Sequence, residues 1–157
     1  MSEPNPYGAP SARVDDHPDP VDQRFRWKAV FLGAVADLGG TMIASIVLFV
    51  AFSVLLGASE GSAEQIGAQL QQSWPFLMTS MIVGSGFTVL GGYVAGRIAR
   101  HSFLKHAFAA GAISFVVGIV LSGSEESPYS GLLSLLAYTL HFPLALFGGW
   151  LAARRRP

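Results

Sequence analysis

The sequence contains no cysteine. That excludes disulfides, thiol catalysis and thiolate metal sites, and it leaves the redox compartment unread. Charge is scarce too: Asp, Glu, Lys and Arg make up 13% of the 157 residues, about half the share of a soluble domain. Ten acids balance ten bases, so no bulk attraction draws the chain to nucleic acid. No phosphate loop, nucleotide fingerprint or zinc-ligand spacing occurs. Gly84-Ser85-Gly86 faintly resembles a nucleophile turn, with His141 expected at comparable depth, but the Gly-x-Ser-x-Gly spacing is absent. No enzyme, cofactor or metal site is expected. The amino terminus lacks a basic start running directly into an apolar core, and the first apolar run is too long for a signal peptide.

What the chain has in abundance is apolar length. Hydrophobic residues make up 51% and the mean hydropathy is +0.45. A soluble chain this short could not bury so much apolar surface, so the composition predicts a one-domain membrane protein. Residues 1–22 hold Pro4, Pro6, Pro10, Pro18 and Pro20 with several aspartates and are expected to form a disordered tail. Residues 23–157 are expected to form the membrane domain. Arg24, Arg26, Trp27 and Lys28 suit a headgroup boundary. Four apolar runs follow, from about Ala29 to Leu56, Pro75 to Ile98, Phe103 to Leu121 and Gly131 to Ala152. Each is near or above the roughly 20 residues that cross a hydrocarbon core. The predicted fold is all-α, a four-helix transmembrane bundle. Between the first two spans, Ser62-Ala63-Glu64-Gln65 has capping-box spacing, and Ile66, Leu70 and Trp74 recur every fourth residue. Either a short amphipathic helix or an ordinary loop fits.

The middle of the chain carries the stretch around which the rest is organised. Gly91-Gly92-Tyr93-Val94-Ala95-Gly96-Arg97 closes the second span, and Gly148-Gly149-Trp150-Leu151-Ala152-Ala153-Arg154 closes the fourth. The match suggests either two duplicated hairpins related about the membrane normal or convergence on small residues at inner helix ends. In the four-span arrangement all ten Lys and Arg fall on one side. The two opposite connections hold Glu60, Glu64, Glu125 and Glu126 and no cation. The positive-inside rule then places both termini in the cytoplasm.

Small residues recur at helical spacing: Gly33 with Asp37, Gly92 with Gly96, and Gly111, Ser114 and Gly118 along one face. Such faces let backbones approach closely in lipid, either within one bundle or in a homo-oligomer or larger complex. Asp37 interrupts the first span about nine residues, or roughly 14 Å, beyond Lys28. An acid at such depth costs about 2.5–3.5 kcal/mol on insertion scales, so it must face protein or water or be protonated. His141, near Pro143 in the fourth span, lies at similar depth and is the expected partner. Thr41 and Tyr138 are alternative donors. The pair would either relay a proton or cation or serve as a structural hydrogen bond. Arg97, Lys105 and His106 form an inner rim expected to meet lipid headgroups.

The Gly91–Arg97 ending, the basic turn, His106 opening the next span, and the acid-then-Gly-Thr pattern of Asp37 to Thr41 resemble small bacterial four-helix hypothetical membrane proteins. The resemblance implies a bacterial origin and an inner-membrane location, and it lends no activity. The resulting expectation is a structural or regulatory membrane protein acting through helix–helix association. The rival is a small oligomeric transporter or channel that uses Asp37 and His141. A third reading is an anchor or assembly factor recruited through the tail.

Overall fold

The computed structural model describes residues 24–57, 61–122 and 131–155, with side chains from 122 and 131–134 excepted. The expected tail, residues 1–22, and the acidic connection from Ser122 to Ser130 lie outside the described side chains. The described residues form five helices and no strand: α1 (Trp27–Leu55), α2 (Ala63–Gln71), α3 (Trp74–Ala99), α4 (Phe103–Ser122) and α5 (Gly131–Arg154). All except α2 contain a stretch long and apolar enough to cross a membrane.

α1 is apolar around its whole circumference, so it has no water-facing side. Its 29 residues span roughly 43 Å at 1.5 Å per residue, more than a hydrocarbon core. Ile43, Val54 and most of the other large residues along it point outward, Val54 with 71% of its surface exposed, while Val30 is fully buried. The interior shows the opposite preference. Among the described residues, eight of the eleven buried hydrophobics are alanine. Bulky residues outside and small residues inside reverse the soluble pattern and match helices that associate in lipid by close approach.

The segment 62–71, read from sequence as either helix or loop, is helical. Ser62 Oγ accepts from the Gln65 N–H at 3.3 Å, and Gln65 Oε1 accepts from the Ser62 N–H at 3.0 Å, a complete capping box. Leu70 is fully buried, whereas Trp74 is 58% exposed and begins α3. Pro75 sits in the first turn of α3, where its missing N–H costs nothing. At the other end, Arg100 takes a left-handed conformation (φ 63°) and Ser102 does likewise (φ 50°), making a tight turn into α4.

α3 is the centre of the bundle and packs on α1, α4 and α5. Its closest approach is to α5: a Cβ on Gly92 would collide with the Ala145 carbonyl, and one on Gly148 would collide with the Val89 carbonyl. A Cβ on Gly96 would stand 2.8 Å from Ala152 Cβ. The two Gly-Gly motifs therefore interlock. On the α1 side, a Cβ on Gly33 would lie 2.7 Å from the Gly91 carbonyl oxygen, and the reverse distance is also 2.7 Å. A Cβ on Gly111 would lie 2.8 Å from Ala145 Cβ. The two hairpins do not pack equivalently: α4 meets both α1 and α3, while the α1 and α5 backbones are not in contact.

Candidate functional site: a polar intramembrane cavity

The gap between α1 and α5 is the site. The Gly-Ala contacts close the bundle at its arginine-bearing end. Beyond them, from mid-bundle outward, the helices separate around a cavity of about 340 Å³. Its walls come from Asp37 to Ser45 on α1, Ser80 to Thr88 on α3, Ser114 to Ile119 on α4 and Ala137 to Leu144 on α5. These stretches run from the middle of the bundle into the half remote from the arginines. Hydroxyls of Thr41, Ser45, Ser80, Ser85, Thr88, Ser114 and Tyr138 alternate there with Leu38, Met81, Ile119 and Leu144.

Asp37 and His141 lie at the deep end. Asp37 is only 5% exposed, and its Oδ2 stands 4.0 Å from His141 Nε2. The side chains meet although their helices do not. His141 Nε2 is 3.0 Å from the Gly111 carbonyl. A carbonyl only accepts, so this nitrogen carries a proton and donates to α4. The carboxylate instead takes its hydrogen bond from Thr88 Oγ1, at 3.3 Å from Oδ1. The Thr88 hydroxyl is equally 3.3 Å from the Gly84 carbonyl, and its single proton serves one acceptor at a time. Ser114 Oγ is buried facing Asp37 and, among the described residues, makes no hydrogen bond of ordinary length. A buried acid held by one long hydrogen bond from Thr88, with the Ser114 hydroxyl beside it but not closed onto it, is an unfinished polar cluster.

Several sequence expectations change here. Thr41 and Tyr138, the alternative donors, line the cavity wall, and Thr88 donates to Asp37. Thr88 had a legible signal: it lies three residues before Gly91, on the same helix face, and Gly91 packs on Asp37 Cβ. Gly33, Gly92, Gly96 and Gly111 lie at helix crossings, but Gly118 does not, since a Cβ there would meet nothing within 4 Å. Gly118 and Ser114 border the cavity. Ser85 lines the same cavity, yet among the described residues no hydrogen bond joins it to His141.

His106 requires the clearest correction. It was expected at the lipid rim with Arg97 and Lys105, but it is 1% exposed. Its Nε2 accepts from the Arg26 N–H at 3.0 Å, and its Nδ1 donates to the Ser102 carbonyl at 3.0 Å. Phe25 stacks on its ring at 4.6 Å. Together these contacts select the neutral Nδ1–H tautomer and fasten the start of α1 to α4. The ring turns inward because the N-terminal residues of α1 have backbone donors without helical partners. Arg97 and Lys105 remain exposed, with Arg97 donating to the Arg155 carbonyl at 3.2 Å. Replacing His106 with alanine is expected to destabilise the bundle by about 2–3 kcal/mol, from two lost hydrogen bonds and an unsatisfied donor. Thermal unfolding in detergent checks this; an unchanged midpoint would show that the His106 contacts contribute nothing.

No protein-family model, no curated protein and no solved structure matches this chain.

Proposed function

We propose that the chain is a small bacterial inner-membrane transporter or channel. In this reading both termini are cytoplasmic, and a solute enters from the opposite side and descends to Asp37 and His141. The observation that carries the reading is the cavity: it runs from the half remote from the cations down to a buried, under-bonded carboxylate. Intramembrane acids are costly and commonly mark ion or substrate paths. The orientation rests on the Lys and Arg distribution, and the bacterial inner membrane on the resemblance of the Gly91–Arg97 and Asp37–Thr41 patterns. Arg97 and Lys105 would meet anionic headgroups at the cytoplasmic rim.

The structural or regulatory reading loses its main support, because Gly33, Gly92, Gly96 and Gly111 are used up inside one chain. What remains for an oligomer or larger complex is the bulky outer face of α1. No catalytic role is assigned to the cavity serines.

The absence of native cysteine makes a direct test simple. Ser85→Cys puts a single thiol on the cavity wall, and Arg155→Cys puts one at the opposite end. In spheroplasts, a membrane-impermeant methanethiosulfonate reagent is expected to label the first and spare the second. Labelling of Arg155→Cys from outside would overturn the orientation, and an inert Ser85→Cys would overturn solute access.

A further inference from the structure

We infer that the cavity binds a small organic amine with an apolar body, its ammonium group seated between Asp37 and Ser114. The inference rests on the reading of the cavity as a solute site and specifies what enters it.

Charge sign comes first. Among the described residues, the only formally charged one lining the cavity is Asp37, and no Lys or Arg lines it. His141, which faces Asp37, directs its Nε2 proton to the Gly111 carbonyl. An anion would face a buried carboxylate without a compensating charge, a penalised arrangement in a low-dielectric site. Hydrogen-bonding capacity comes next. Asp37 Oδ2 faces His141 Nε2 at 4.0 Å, beyond hydrogen-bond reach, and Ser114 Oγ, on a residue 2% exposed, makes no hydrogen bond of ordinary length among the described residues. A ligand that donates at least two hydrogen bonds from one positive atom would satisfy both, and a protonated amine does so.

Size and wall chemistry exclude a bare ion as the full occupant. About 340 Å³ falls at the lower end of small-molecule pockets, and an alkali ion would leave most of it to water. Phe115 and Tyr138 pack edge to face at 5.7 Å on the cavity wall, and Phe115 also lies 5.8 Å from the His141 ring. Aromatic faces stabilise a nearby cation, and Leu38 and Met81 offer surface to an apolar body.

The test uses the full chain in nanodiscs with 2-phenylethylammonium as the probe, titrated by calorimetry. Saturable binding with one site per chain is expected. The neutral isostere 2-phenylethanol should bind at least about tenfold more weakly, the scale of one lost charge-assisted hydrogen bond. The anion 3-phenylpropanoate should not bind, and sodium chloride at equal ionic strength should not compete. Asp37→Asn should weaken the amine by about tenfold or more while leaving the alcohol unaffected, and Ser114→Ala should weaken it several-fold. Gly84→Leu provides a check outside the polar cluster: a Cβ there meets nothing within 4 Å, so the side chain should fill the cavity and exclude the amine from a folded protein. Equal binding of the alcohol or the anion, displacement by sodium alone, or full affinity in Asp37→Asn would each overturn the assignment. Thiol labelling separates the two levels. If Ser85→Cys is labelled and the amine does not slow the reaction, the amine falls and the solute cavity stands. If it is never labelled, both fall.

Discussion

Gly92→Leu is expected to prevent the bundle from forming, whereas Gly84→Leu, two turns earlier on the same helix, is expected to leave it folded. The two residues differ only in what faces them. A Cβ on Gly92 would occupy the position of the Ala145 carbonyl, while one on Gly84 would enter open cavity. Ordinary overpacking costs about 1–3 kcal/mol because side chains can shift. At Gly92 the obstacle is backbone, so α3 and α5 would have to separate along the contact that also holds Gly148 and Gly96. Even Gly92→Ala should cost at least that much, while Gly84→Ala should gain about 0.5–1 kcal/mol by restricting the unfolded chain. Size-exclusion profiles and fluorescence-detected unfolding midpoints in detergent measure both series. If Gly92→Leu matched Gly84→Leu in yield and midpoint, the interlocked Gly-Gly motifs would not be the central contact of this fold.

Asp37→Asn is expected to lower solute flux by about ten- to a hundredfold in reconstituted vesicles. Asparagine keeps the shape and removes the negative acceptor, and a hydrogen bond to a charged group is worth about 1.5–3 kcal/mol. Pyranine trapped in the lumen reports proton movement, and uptake of a radiolabelled amine reports the solute, which enters with its proton and leaves internal pH unchanged. His141→Ala should have a smaller effect: its donor goes to the Gly111 carbonyl, and it faces Asp37 only at 4.0 Å. Should both variants retain wild-type flux and support growth equally, the pair would simply connect α1, α4 and α5, and the transport reading would be abandoned.

The candidate site was partly legible along the chain. Asp37 is conspicuous because it interrupts a long apolar run, and counting residues at 1.5 Å each brought His141 to its level. The same arithmetic is blind to azimuth. It could not show that the Thr88 hydroxyl, rather than that of Thr41 or Tyr138, reaches the carboxylate. It could not turn His106 inward, because a basic turn beside a histidine looks like any membrane rim until the Arg26 N–H is seen to need an acceptor. Gly118 shows the same limit: its spacing from Gly111 and Ser114 fits a packing face, yet the helices have already diverged at its level.

By itself the sequence determined four apolar runs long enough to cross a membrane and an order in which every Lys and Arg falls in alternate connections between them or at the termini. Both are one-dimensional quantities, a length compared with bilayer thickness and a sign counted between lengths. Only the tertiary structure decided which helices touch, that α1 and α5 stand apart, and that a polar cavity fills the gap. The physical reason lies in the spans themselves. Helices apolar on every side carry no inward or outward signal, so their partners are chosen by where backbones can come closest, a property of glycine positions in three dimensions.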